Sequence, residues 1–356
     1  MKQTGTITVA QLAEFDEVID VRSPSEFALD HVPEAVNCPV LDDAERASVG
    51  TLYKQTSPFD AKKIGAALVS KNIARHIEER FRDRAREWRP LVYCWRGGKR
   101  SGALAHVLRE IGWEAATLEG GYRAYRREVV RQLEALPARL RFEVICGATG
   151  SGKSRLLEAL AARGAQVLDL EAIARHRGSV LGDLPGDPQP SQKMFDSLVW
   201  DRLRRYDPAK PVYVESESKK IGQLQVPGAL LERMRASPCV RVEAPVEARV
   251  RFLIEEYRHF LEDPAALKKQ LACLRDLYGA GVLERWFAQV DARDWNELVA
   301  ELLVKHYDPA YRRSMLKNYR DSGDAPVLEL TDVTPQALAR AAADLRTLTP
   351  AATVAP

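Results

Sequence analysis

Cys94 opens the most chemically pointed stretch of this chain, Leu91-Val-Tyr-Cys94-Trp-Arg-Gly-Gly-Lys-Arg100-Ser-Gly-Ala-Leu. Behind the thiol come Arg96, Gly97, Gly98, Lys99, Arg100 and Ser101: three cations, two glycines and a hydroxyl. A tight loop of this composition, leading into a helix, turns backbone N–H groups and positive charge toward one point, so it holds an anion. A field of that sign favours a thiolate, the nucleophilic form of cysteine. The bland alternative is a small buried cysteine at a strand end. Two glycines and three cations make it the poorer account, and Cys94 is read as a reactive cysteine in an anion cradle.

A second phosphate-sized motif follows, Gly147-Ala-Thr149-Gly150-Ser151-Gly152-Lys153-Ser154. It is a complete P-loop sequence set between an apolar run and a helical pattern, the context the motif requires. Its glycines let the backbone wrap a diphosphate, Lys153 is a point charge on it, and Ser154 is placed to ligate Mg2+. Acidic residues close the next two apolar runs: Asp169 after 166–168, and Glu215 and Glu217 within 211–218. Any of them could orient the metal; Asp169 and Glu217 are the preferred pair, with no firm metal ligand set.

These side chains need strands and helices to hold them. Residues 17–22 and 91–93 read as strands, and 101–111 as an amphipathic helix. Ser23-Pro-Ser-Glu26 has the form of a capping box with proline at the first helical position. Residues 59–69 and 73–88 read as helices, the second with Arg80, Arg82, Arg84 and Arg86 on a face that is either solvated or set against RNA. A strand over 113–118 and a basic helix over 123–136 complete a first domain, and Pro137 marks the linker. Strands at 141–146, 166–171, 211–218, 239–243 and 327–330 form the second sheet, and Thr334-Pro335 caps a closing helix. The region 246–306 is helical and rich in Leu, Phe and Trp, a core or a lipid-sized pocket. Residues 306–319 interleave aromatics with cations, which suits either a packed helix or a single-stranded nucleic-acid surface.

At 356 residues the chain calls for two domains, 1–136 and 137–356. The fold class is α/β: an N-terminal domain built round the Cys94 loop, then a P-loop NTPase-like doubly wound parallel sheet with helical additions. A net charge of +3 decides little, but 122–141 holds six arginines against two glutamates. Among them Arg123, Arg126, Arg127 and Arg131 make the linker helix a candidate nucleic-acid surface. No apolar run reaches the length of a membrane span, and the N-terminus lacks the apolar core of a signal peptide. Cys38, Cys94, Cys146, Cys239 and Cys273 form no CxxC pair, which fits a reducing cytoplasm and argues against structural zinc. Cys38 and Cys146, on apolar runs, read as inert core.

The N-terminal domain carries a family likeness. Asp20-Val-Arg22, Glu26-Phe27, His31-Val-Pro33, Ala35-Val-Asn37, Cys94 on its loop and Glu119-Gly-Gly-Tyr122 resemble the rhodanese domain. The usual Gly-His and Pro-Gly-Ala stand here as Asp30-His31 and Pro33-Glu34-Ala35, in a turn away from the cysteine, and His31 reads as structural. Adding the P-loop, Asp169-Leu-Glu171, His176-Arg-Gly-Ser179, Pro190-Ser-Gln192, Glu215-Ser-Glu-Ser218, Lys220-Ile-Gly222 and Glu243-Ala-Pro245 with Arg249, the chain is similar over about 7–345 to the tRNA 2-selenouridine synthase family.

That resemblance implies conversion of wobble 2-thiouridine in tRNA to 2-selenouridine through an S-geranyl intermediate. Geranyl diphosphate and then selenophosphate are the implied co-substrates; diphosphate, geranylthiol and phosphate are released. It also implies that Cys94 carries selenium as a perselenide. No tightly bound cofactor is expected beyond Mg2+ at the P-loop. The expected partner is tRNA with 2-thiouridine, together with an enzyme supplying selenophosphate; no membrane and no oligomer is required. Two other enzymes stay open. The spacing from Cys94 to Arg100-Ser101 is that of a cysteine phosphatase, although Tyr93 stands where many have histidine. The P-loop alone would suit a kinase or ATPase. A non-enzymatic nucleotide-sensing module is a third reading, opposed by the intact Cys94 and Lys153.

Overall fold

Apolar runs bounded by turn residues become the inner strands of two parallel sheets. The computed structural model describes residues 5–179, 181–319 and 325–348; the Ala/Pro/Thr tail after Leu348 lies outside them. The chain divides into two compact units, Met1–Gln132 with Ser191–Asp201, and Leu133–Pro190 with Arg202–Pro356.

In the first unit, β1 (Thr6–Ile7), β2 (Glu17–Asp20), β3 (Val36–Asn37), β4 (Pro90–Tyr93) and β5 (Ala116–Leu118) form one sheet in the order β1-β5-β4-β2-β3. Every pairing in it is parallel. All four residues of β4 are buried, as a central parallel strand covered on both faces must be. Helix α1 (Pro24–Leu29) starts as its capping box predicts, with the Glu26 carboxylate accepting the Ser23 N–H at 3.1 Å. A helix absent from the sequence expectations, α2 (Asp43–Gln55), has its start fixed by Asp42 accepting from the Glu45 N–H at 2.7 Å. Helix α3 (Pro58–His76) is continuous where the pattern predicts two helices. It ends in a π-helical turn, Ile77–Phe81, and the chain is not helical on to Trp88. Tertiary packing overrides propensity there. Trp88 packs on Phe81 and edge-on to Trp113, whose indole N–H is donated to the Ala85 carbonyl at 2.9 Å.

Helix α4 (Lys99–Ile111) follows the cysteine loop, and α5 (Gly121–Ala135) follows β5. Residues 191–201, distant in sequence, pack as part of this unit. Ser197 donates to Asp30 at 2.7 Å, and Trp200 lies edge-on to Tyr125. In the Pro33-Glu34-Ala35 turn, Glu34 has φ 67°, the left-handed region that glycine enters freely and a side chain enters under strain.

In the second unit, β6 (Arg141–Gly147), β7 (Gln166–Leu168), β8 (Pro211–Glu215), β11 (Cys239–Glu243) and β12 (Val327–Glu329) form a sheet in the order β12-β11-β6-β8-β7. It too is parallel throughout. A short antiparallel hairpin, β9 (Lys220–Ile221) with β10 (Leu224–Gln225), stands apart from it. Helix α6 (Lys153–Ala162) presents Leu156, Leu157 and Leu160 to a core shared with Leu338, Ala341, Ala342 and Leu345 of the closing helix Pro335–Leu348. Thr334 caps that helix by accepting the Ala337 N–H at 3.3 Å. A separate apolar cluster, including Phe260, Leu271, Trp286, Leu298 and Leu302, holds the helical region together. Among the described residues no helix is long and apolar enough to cross a membrane.

Candidate active sites: a thiol cradle and a phosphate loop

Cys94 sits at the carboxyl end of β4, the central strand of its sheet, where parallel sheets present their ligand sites. Its thiol is buried and accepts the Ser101 hydroxyl at 3.4 Å. Gly98 turns the loop with φ 71° so that α4 begins at Lys99. The loop is pinned from the far side, where Tyr122 N–H donates to the Cys94 carbonyl at 2.8 Å and Arg123 N–H to that of Trp95 at 3.1 Å. This close approach requires glycine at 121: φ is +56° and a Cβ would stand 2.4 Å from the Cys94 carbonyl oxygen. Arg100 is held by Glu26 at 2.9 Å, while Arg96 and Lys99 are exposed.

The Asp-Val-Arg motif props this loop from beneath. Arg22 and Asp20 form a buried ion pair at 2.6 Å, and the same guanidinium donates to the Asp30 carbonyl. It also lies 4.0 Å from the centre of the Tyr122 ring, and Tyr122 donates its hydroxyl to Asp30 at 2.7 Å. Removing one member of such a buried pair costs about 3–5 kcal/mol. His31 stacks on Phe27, its Nδ1 2.9 Å from the Phe27 carbonyl, a structural place. Cys38 is core, and burial pushes its thiol up to about 11. Cys146 is also buried, its thiol pushed up by neighbouring Cys239 and by burial.

The four arginines of α5 separate. Arg123 and Arg127 are exposed. Arg126 is half-buried between Asp196 and Asp30, and Arg131 pairs with Glu128 at 2.5 Å. Arg84, from the other basic run, pairs with Glu17 at 2.8 Å.

Gly147, Thr149, Gly150, Ser151, Gly152, Lys153 and Ser154 wrap the end of β6, again the central strand. Position 150 requires glycine on two counts: φ is +81°, and a Cβ would stand 2.9 Å from the Leu253 side chain. Arg249, buried, ties the loop to the helical region: it donates to the Thr149 carbonyl at 2.9 Å and to Asp308 at 2.6 Å.

Glu217 meets Glu171 and Glu215, with one oxygen of each within 4.8 Å of the others. Ser154 donates to Glu171 at 3.3 Å. Burial, and repulsion from neighbouring acids, raise all three carboxyls, that of Glu217 to about 8, against the pull of Lys153. Asp169 stands outside this trio but lines the same cavity, and it caps helix α7 (Leu170–Ala174) by accepting the Ala172 N–H at 2.8 Å. Its partner in the strand-end motif, Glu171, reaches the cluster instead.

The loop and these acids line a cavity of about 530 Å³. Tyr307, Tyr311, Met315 and Tyr319 form another wall, so these four residues of 306–319 face the cavity. Their spacing of four was the available signal of one helix face. Beside it lies a second cavity, of about 60 Å³, walled by Phe260, Leu267, Trp295, Leu298, Leu302 and Leu303 among others.

Fold and sites together define a rhodanese-type thiol domain followed by a P-loop domain. Residues 8–128 match the Rhodanese-like domain family, and 140–272 match the family described as tRNA 2-selenouridine synthase AAA domain. Three similar proteins bear the name tRNA 2-selenouridine synthase. That of Nitrosomonas europaea is 37% identical over 67% of this chain and 63% of its own length. That of Bdellovibrio bacteriovorus is 36% identical over 67% and 64%. That of Alcanivorax borkumensis is 37% identical over 83% and 88%. The match thus spans just under two thirds of the first two relatives and most of the third. The chain belongs to the tRNA 2-selenouridine synthase family.

Proposed function

We propose that this chain converts wobble 2-thiouridine of tRNA to 2-selenouridine, first geranylating the sulfur from geranyl diphosphate and then exchanging it for selenium from selenophosphate. One observation carries the reading beyond family membership. The phosphate-loop cavity and the apolar cavity share Thr149, Ser179, Leu253, Tyr257 and Tyr307 as walls. An anion site beside a hydrocarbon-lined recess suits a diphosphate with an apolar tail, and gives an ATP-dependent kinase no corresponding use for the recess.

In the first step the C2 sulfur bonds to C1 of the geranyl group. The C1–O bond breaks, diphosphate leaves with the electron pair, and the base gives up its N3 proton. The P-loop amides and Lys153 stabilise the charge developing on diphosphate. Ser154 with Glu171, Glu215 and Glu217 is an all-oxygen set that fits Mg2+, and the buried Glu215 Oε1 has no hydrogen-bond partner of its own. The ion would supply further neutralisation of the leaving diphosphate.

In the second step S-geranyl-2-thiouridine, selenophosphate and water give 2-selenouridine, geranylthiol and phosphate. Alkylation turns a thione into a group that departs as a thiol. Cys94 is the selenium-carrying group: its S–Se bond forms as water cleaves Se–P to release phosphate, and a small-molecule disulfide takes up the two electrons and two protons. Two thiols return them when the selenium bonds to C2, which re-forms the disulfide and frees the Cys94 thiol. The cradle of Arg96 to Ser101 holds the phosphate end of selenophosphate.

Nucleoside mass spectrometry tests this on 2-thiouridine tRNA given geranyl diphosphate, then selenophosphate, with an ATP-only control. A geranyl adduct followed by sulfur-to-selenium exchange is expected. No adduct, together with phosphate released from ATP, would replace the reading with a kinase or ATPase.

A further inference from the structure

Trp95 follows the reactive cysteine directly, and it is 41% exposed while Cys94 is buried. The indole is not loose. It stacks on Tyr122 with ring centres 5.3 Å apart and planes 27° from parallel. Tyr122 is itself immobilised by its hydrogen bond to Asp30 and by the Arg22 guanidinium over its ring. The Trp95 carbonyl accepts the Arg123 N–H, so the first turn of α5 fixes the backbone that carries the indole. Neighbouring Gly97 and Gly98 have open space around them, and Arg96, Lys99, Arg123 and Arg127 are exposed. Exposing a large rigid aromatic on a loop that could have buried it forgoes apolar burial, at about 25 cal/mol per Å².

We infer that Trp95 is the stacking platform for the target pyrimidine at the selenium-transfer site, with Arg96, Arg123 and Arg127 holding the flanking phosphates. The inference rests on the selenium-transfer reading of Cys94. An aromatic face ringed by cations is how proteins hold single-stranded nucleotides, and enzymes that alter a base take it out of the stack and hold it by its face. Trp95 is the residue next to Cys94 in the chain, and a base stacked on an aromatic face keeps its edges, C2 among them, free. Tyr122 behind the indole supplies the stiffness that a lone exposed side chain lacks.

The test separates loading from transfer. Wild type, Trp95→Ala and Trp95→Phe are labelled at Cys94 with radioactive selenophosphate and a small-molecule disulfide, then given thiol and an anticodon stem-loop RNA carrying S-geranyl-2-thiouridine. Trp95→Ala is expected to raise KM for the RNA about tenfold or more, with selenium labelling of Cys94 within about twofold of wild type. Trp95→Phe recovers most of the loss. The same RNA quenches wild-type tryptophan fluorescence more than that of Trp95→Phe. Transfer by Trp95→Ala at the wild-type KM overturns the platform. If Trp95→Ala also fails to load, the quenching comparison decides, and equal quenching in wild type and Trp95→Phe overturns it. Absence of selenium on wild-type Cys94 instead defeats the underlying reading, while RNA quenching still reports on Trp95.

Discussion

Arg100 of the cysteine loop and Glu26 of the first helix, 74 residues apart, are joined by an ion pair of 2.9 Å with both side chains mostly buried. Burial alone would raise the Glu26 carboxyl, but the Arg100 guanidinium outweighs it and holds the carboxyl below its ordinary value. The pair therefore stabilises the fold above the ordinary carboxylate range and is lost only as pH falls through the lowered value. Glu26 also caps its own helix, so one carboxylate sets both the helix start and the aim of the cradle cation. Glu26→Gln should raise KM for selenophosphate about tenfold and leave geranylation unchanged. Equal loss of both steps would show that the pair merely holds the domain together.

Lys153→Ala should lower geranyl transfer by about 10²–10³-fold, the usual cost of losing one preorganised charge at a leaving group. Selenation of tRNA geranylated beforehand should persist. Cys94→Ser gives the mirror image, geranylated tRNA with no selenium. Assaying each variant in both half-reactions checks whether the sites divide the work in this way.

The apolar cavity should read chain length. Leu302→Trp fills a recess of about 60 Å³ whose walls include Thr149 of the P-loop, so a ratio between two diphosphates is the readout and not the rate alone. The ratio of kcat/KM for geranyl over dimethylallyl diphosphate should fall at least tenfold, since each methylene denied burial forfeits about 0.8 kcal/mol. An unchanged ratio would place the tail elsewhere.

The arginines of α5 should part company. Arg123→Glu and Arg127→Glu should weaken tRNA binding and flatten its salt dependence by about one unit for each phosphate no longer neutralised. Arg126→Ala should chiefly lower stability, by about 1–3 kcal/mol, because it strips a partner from Asp196 and from buried Asp30. Thermal unfolding and salt-titrated tRNA binding on the three variants separate the two effects.

Glu34→Gly should raise stability by about 1 kcal/mol, since φ 67° is free for glycine and strained for glutamate. A denaturant midpoint that stays put or falls would mean that interactions of the Glu34 side chain offset the strain.

Local signals carried the two candidate site loops, because a thiol cradle or phosphate loop is a contiguous run whose chemistry is written in adjacent residues. Cys94 to Ser101 and Gly147 to Ser154 lie where their flanking strand and helix patterns put them, each on the central strand of a parallel sheet. What came from distant segments was not legible. The carboxylate trio needed Glu171, just past the strand whose end, Asp169, reads as the obvious acid; helix geometry makes Asp169 a cap. Arg126 and Arg123 are equivalent in sequence, and Asp196 and Asp30, both brought in from distant parts of the chain, distinguish them. The aromatics of 306–319 alternate with cations in a way that fits a surface or a cavity wall, and the packing of that helix chose the wall. The sequence by itself determined the two loops, the parallel sheets and the family. Tertiary structure alone decided which acids converge, which arginines stay exposed and where an apolar tail can lie, because each depends on residues too far apart in the chain for any local pattern to record.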